Sequence, residues 1–180
     1  MRISKNTPLY FLTAVTHNRL PVFRTDKMKE VLCTAFNEAR ISGGFLILAY
    51  VLMADHFHII TGSEKAPSEI LRYLKGISAR RVIGYLKENG LEGSLAKLRT
   101  ETKAREYKHS LWQHNSNTFQ VNTETVLLQK AHYIHSNPVE DGLVEHPNEY
   151  RYSSARIWNR RSVDNEPLIV DADKIEWRVT

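Results

Sequence analysis

The strongest constraint on how this chain folds lies between residues 45 and 61. Phe45 to Leu52 is an almost unbroken apolar run, which reads as a strand buried on both faces. The short Met53-Ala54-Asp55 connection leads at once into His56-Phe57-His58-Ile59-Ile60-Thr61, a second strand. Side chains alternate across a strand, so His56 and His58 share one face while Phe57 and Ile59 share the other. Two imidazoles fixed on a rigid element can hold a divalent cation and leave positions open for a phosphate and for further ligands. Taken alone, a His-x-His pair is more often two polar residues on the exposed side of a half-buried strand. A second signal is needed to choose.

Around that hairpin the chain reads as strand, helix, strand, strand, helix, strand. Residues 1 to 8 form a loose arm, and Tyr10 to Thr16 alternates apolar with hydroxyl or small residues as a first strand. Arg24-Thr25-Asp26 caps a helix from about Asp26 to Ile41, which Gly43-Gly44 stops. Pro67 or Ser68 starts a second helix running to about Lys87, with Ile70, Leu74, Ile77 and Val82 inward. The charged segment to Ser110 has no clear period, and Leu111 to Gln113 and Thr118 to Val121 read as short strands or loop. Asn122 or Thr123 caps a third helix, with Leu127, Ala131 and Ile134 as its core stripe. Pro138 is expected to end that helix near Ser136, because the residue before a proline is pushed out of helical angles. The remainder, through Trp158 and Trp177, reads as an irregular wrap with a strand at Leu168 to Val170. This order is that of a ferredoxin-like (RRM-like) α+β fold, an antiparallel sheet backed by helices.

The second signal is Ala131-His132-Tyr133-Ile134-His135-Ser136-Asn137-Pro138-Val139, followed by Gly142-Leu143-Val144. Together with His56-Phe57-His58, it resembles the His-hydrophobic-His and single-tyrosine motifs of the Y1 transposases related to the IS200 element, and more narrowly the REP-associated tyrosine transposases of bacteria. The resemblance runs from about Tyr10 to Trp158, with Tyr-x-x-x-Asn-Pro-Val its most specific part. It implies one transposase domain over residues 1–180, with a core at 10–158 and a C-terminal tail at 159–180. It also implies the ferredoxin-like fold, with the histidines on a central strand and the nucleophile on the third helix.

The implied activity is metal-dependent cleavage and joining of single-stranded or hairpin DNA through a 5′-phosphotyrosine intermediate. Such chemistry needs a nucleophile, a cation on the non-bridging oxygens and in-line geometry. Tyr133 is the candidate nucleophile; its phenol, ordinarily with a pKa of about 10, needs a base or a nearby cation. His132 and His135 lie close in sequence, but the helix turns them to other faces. His56 and His58 are the candidate metal ligands, and the resemblance assigns a third ligand to Asn137, one helical turn beyond Tyr133. Gln129 is a weaker face-mate. Ligand softness alone would also admit zinc; the resemblance implies Mg²⁺ or Mn²⁺, since phosphate oxygens must be accepted and released.

Two stretches depart from the family pattern. Ala54-Asp55 stands where Pro-Asn or similar is usual, so that Asp55 adds a carboxylate able to tune His56 or touch the metal. His114 to Gln120 stands where an aromatic, Asp and His cluster is usual, which puts any substrate contact there in doubt.

The net charge of +5 fits a polyanionic partner without demanding one. Its distribution is more informative: Arg72, Lys75, Arg80 and Arg81 fall on the second helix and form a candidate DNA-binding track, continued by Lys97, Arg99, Lys103, Arg105 and Lys108. Arg2 and Lys5 could add an arm contact. No run is long and apolar enough to span a membrane, and a cytoplasmic location is the expectation. The single cysteine, Cys33, reads as a core residue. Two other readings compete: a nucleic-acid-binding module that does not cleave, and a metal-dependent phosphodiesterase using water with Tyr133 as a bystander. Related transposases can exchange the tyrosine helix between subunits, so a homodimer is admitted and Tyr133 could serve its own histidines or a partner's.

Overall fold

The structure is a computed structural model and describes residues 7–101 and 107–175. Four strands form one antiparallel sheet, β1 (Leu9–Val15), β2 (Leu46–Leu52), β3 (His56–Gly62) and β6 (Asn117–Val121), in the spatial order β2-β3-β1-β6. The helices α1 (Asp26–Gly43) and α2 (Pro67–Glu88) are the crossovers of the ferredoxin-like order. Between α2 and β6 the chain inserts α3 (Glu92–Lys97) and a small ribbon of β4 (Arg99–Glu101) and β5 (Tyr107–His109). Helix α4 (Glu124–Glu140) and the short α5 (Ala155–Trp158) complete the fold.

Local chemistry accounts for most element ends. Thr25 accepts a hydrogen bond from Met28 N at the start of α1, and Gly44, with φ of 63°, closes it by donating to Arg40 O and Ile41 O. Pro67 opens α2 at its first position, where no amide donor is needed. Thr123 caps α4 through Val126 N.

The two faces of the sheet are both covered, which is why β2 is apolar throughout and every one of its residues is buried. On one face, Phe57 meets Phe36 of α1 edge-on at 4.9 Å and Trp112 at 5.2 Å, while Trp112 Nε1 donates to Ser78 Oγ of α2. On the other, Leu127, Ala131 and Ile134 of α4 are buried over β2 and β3.

Helix α4 does not stop near Ser136. It continues to Glu140 with Pro138 buried inside its last turn. Proline forfeits only one amide there, and Asn137 Nδ2 donates to Tyr133 O at 2.7 Å. The end is made instead by Gly142, whose φ of 68° lets Gly142 N reach Val139 O and Leu143 N reach Pro138 O. The C-terminal wrap lies on the free edge of β2, with bonds from Leu52 N to Tyr152 O, Ser154 N to Tyr50 O and Trp158 Nε1 to Leu48 O. Leu168 to Val170 forms no strand. That edge is already taken, and Asp171 reaches β2 differently, with its amide donating to Ile47 O and its carboxylate bound by Arg40 and Ile47 N. Arg2, Lys5, Lys103, Arg105 and Trp177 fall outside the described residues.

Candidate active site

The register between β1 and β3 builds the site. Val15 lies opposite His56 and Thr13 opposite His58, while Phe11 lies opposite Phe119 of β6, so these residues occupy the sheet face that α4 covers. The connection before β3 is clamped, with Met53 N bonded to His56 O, Thr16 N to Asp55 O and Phe23 N to Ala54 O. His56 therefore stands at the open end of the strand and His58 one step deeper, with ring centroids 4.9 Å apart.

Each imidazole is held at Nδ1. Asp55 Oδ1 lies 2.6 Å from His56 Nδ1, and Thr13 Oγ1 lies 2.7 Å from His58 Nδ1. The Asp55 carboxylate can only accept, so it favours the His56 tautomer with its proton on Nδ1 and a lone pair on Nε2, the usual support of a metal-binding histidine, whereas the Thr13 hydroxyl, able to donate or accept, fixes the orientation of the His58 ring. Asp55 is anchored in turn by Arg19 at 3.0 Å, from a turn in which Asn18 and Arg19 both adopt positive φ. Burial works to raise the Asp55 carboxyl, but His56 and Arg19 outweigh it and hold it below its ordinary value. Burial, the neighbouring His56 and Lys130 push the His58 imidazole down to about 3 against a hydrogen bond with Asn137, so the ring is neutral at physiological pH.

Tyr133 comes from α4. Its ring stands edge-on to His58 at 5.3 Å and to Phe11 at 6.0 Å, and the residue is 43% exposed. Because α4 persists past Pro138, Asn137 is buried one turn further along, its Nδ2 on Tyr133 O and its carboxamide close enough to the His58 ring to raise its pKa. The fold thus gathers His56, His58, Tyr133 and Asn137 within a single chain. Two imidazole nitrogens and an amide oxygen are a donor set that suits a divalent cation. Among the described residues no group of three His, Cys, Asp or Glu side chains is placed to hold an ion.

The basic residues of α2 are not brought to this face. Arg80 and Arg81 both pair with Glu38 of α1, Arg72 lies over the Tyr73 ring, and Lys75 donates to Gln113 O, His114 O and Ser116 Oγ, tethering the loop before β6. Gln129 is exposed, and His132 is an exposed residue beside Ser136. His135 is buried with Nε2 on Ser154 Oγ, a structural role. Sequence reasoning missed Thr13, Arg19 and Lys130. Periodicity places Thr13 on a strand but leaves its partner strand's register open.

A family comparison decides the relationship: the family described as "Transposase IS200 like" matches residues 5–137, a span that includes His56, His58 and Tyr133 and ends at Asn137. The chain belongs to the IS200-like transposase family. It is accordingly a transposase, an enzyme that nicks and joins DNA. No curated protein matches the sequence. Among solved structures, a REP-associated tyrosine transposase bound to a REP hairpin is 18% identical, with a TM-score of 0.64 over 100% of this chain and 96% of that one; it shares the fold. A crystal structure from Deinococcus radiodurans is 20% identical over 76% of this chain and 97% of that one, with a TM-score of 0.49. Among the described residues no helix is long and apolar enough to cross a membrane.

Proposed function

We propose that this transposase cleaves and rejoins single-stranded DNA, with Tyr133 as the nucleophile and with His56, His58 and Asn137 holding Mg²⁺ or Mn²⁺. The observation that carries the proposal is the Tyr133 ring at 5.3 Å from His58, with the Asn137 side chain one helical turn on and bonded to Tyr133 O. A cation bound by those three side chains would draw charge from the non-bridging oxygens of the target phosphate and favour ionisation of a phenol beside it.

The chain's own residues do the rest. Tyr133 Oη forms a bond to phosphorus, the bond from phosphorus to the 3′-oxygen breaks, and that oxygen takes up a proton and leaves as a 3′-hydroxyl. The phenol's own proton passes to solvent. The new phosphodiester links Tyr133 to the 5′ end, and attack by a 3′-hydroxyl of another strand reverses the step and restores the phenol. Asp55 and Thr13 keep His56 and His58 from rotating, and Asn137 is pinned to the tyrosine turn through Tyr133 O, which holds nucleophile and ligands in a fixed arrangement. A strand with unpaired bases is the fitting substrate. The REP hairpin bound by the structural neighbour makes hairpin-bearing DNA the first to try.

The test is incubation with single-stranded, hairpin-bearing DNA in Mg²⁺ or Mn²⁺ and in EDTA, followed by denaturing electrophoresis. A metal-dependent protein–DNA band that is absent in Tyr133→Phe and in His56→Ala is the expected result. Cleavage that persists in Tyr133→Phe would move the reaction to metal-bound water.

A further inference from the structure

Lys130 lies one turn before Tyr133 on α4, and its ammonium is cradled by aromatic faces rather than by a carboxylate. Nζ lies 5.1 Å from the centroid of Phe11, 5.0 Å from Phe119 and 6.0 Å from Tyr133. Among the described residues Lys130 makes no ion pair. Its charge is therefore held beside the tyrosine and left available for an anion.

Phe119 needs an explanation of its own. It sits on β6, an edge strand whose other exposed residues, Asn117, Thr118 and Gln120, are polar, and it is itself 48% exposed. Lys130 covers one side of the ring and leaves the rest open. Directly across the ladder is Phe11, which stacks on His58 with centroids 5.4 Å apart and planes inclined by 17°. Aromatic rings thus run from the histidine pair to the edge of the sheet, with one ammonium lying over them next to Tyr133. An exposed aromatic face beside a free cation is what one nucleotide of a single strand requires: a flat surface for the base and positive charge for its phosphate.

We propose that Phe119 and Lys130 form a nucleotide subsite for single-stranded DNA, with a base stacked on the open face of Phe119 and the phosphate next to the cleaved one bound by Lys130. This rests on the reading of Tyr133 as the nucleophile only for the subsite's place on the strand. The subsite orients an unpaired nucleotide flanking the scissile phosphate, and it selects against duplex, in which that base is already stacked and paired.

The test measures binding without chemistry, using the full chain with Tyr133→Phe in EDTA and a short fluorescein-labelled single strand of mixed sequence, read by anisotropy across a salt series. Phe119→Ala is expected to weaken binding about tenfold or more with the salt dependence unchanged, and Phe119→Trp to retain it. Lys130→Gln is expected to flatten the slope of log K against log salt by about 0.7, the value for one phosphate contact on a single strand, and Lys130→Arg to restore the slope. Thermal unfolding of each variant establishes that it is folded. Folded Phe119→Ala and Lys130→Gln variants that bind like their parent at every salt concentration would overturn the subsite, as would an equal loss in Phe119→Ala and Phe119→Trp. The two proposals fail separately: unchanged binding with an intact tyrosine adduct removes the subsite alone, whereas the expected binding pattern with no adduct removes the nuclease reading alone.

Discussion

His135 offers a quantitative check on how α4 is seated, because it is buried between the helix and the C-terminal wrap and takes no part in the proposed chemistry. Burial and the neighbouring His132 push its imidazole from 6.5 down to about 4. The unfolded chain therefore binds a proton at a pH where the folded chain does not, and stability falls as pH drops from about 6.5 to about 4. A ring titrating at about 4 when folded and 6.5 when unfolded removes about 2 kcal/mol at pH 5 relative to pH 7.5, and about 3 kcal/mol once pH is below 4. His135→Gln keeps a polar group for Ser154 and loses the edge contact with Trp158, so it is expected to be less stable than the parent at pH 7.5. Its stability should nonetheless depend less on pH, the gap to the parent narrowing by about 2 kcal/mol at pH 5. Urea unfolding of both proteins at several pH values measures this. Parallel stability–pH curves would refute the reasoning and mean that His135 is hydrated or already protonated in the folded protein.

Asp55→Asn removes the charge that supports His56 while preserving its shape, and metal affinity measured by calorimetry is expected to fall about 10- to 100-fold with little change in unfolding temperature. Mixing Tyr133→Phe with His58→Ala protein tests whether the tyrosine acts within its own chain, as its contact with its own His58 predicts; no recovery of adduct is expected, and recovery would mean exchange of α4 between subunits. Gly43→Ala would place a methyl carbon 2.6 Å from Cε1 of the buried Phe45, so chemical unfolding should show a loss of about 1–3 kcal/mol.

Much of the site was legible because it depends on two short periods. Alternation along a strand puts His56 beside His58, and a four-residue step along a helix puts Asn137 beneath Tyr133. The local rule for Pro138 pointed the wrong way. It describes an isolated helix end, whereas here a buried proline, the Asn137 side chain and Gly142 together carry α4 through another turn, and that turn is what brings Asn137 to His58. The supports at Nδ1 were half visible. Asp55 adjoins His56 in sequence, but Thr13 reaches His58 only through the β1–β3 register, and Arg19 reaches Asp55 through a turn without any sequence signature. Nor does a run of arginines and lysines on α2 disclose that Glu38 pairs with two of them or that Lys75 serves a loop. The cation beside the tyrosine, Lys130, is a single lysine on α4.

The central claim is that Tyr133 itself becomes linked to DNA. Its most direct test is to form the adduct on single-stranded DNA in Mn²⁺, digest the protein and the DNA, and locate the remaining nucleotide by peptide mass spectrometry. The account predicts a nucleotide joined through its 5′-phosphate to Tyr133, on the peptide that contains Ile134 and His135. A nucleotide on any other residue, or a link through a 3′-phosphate, would contradict it.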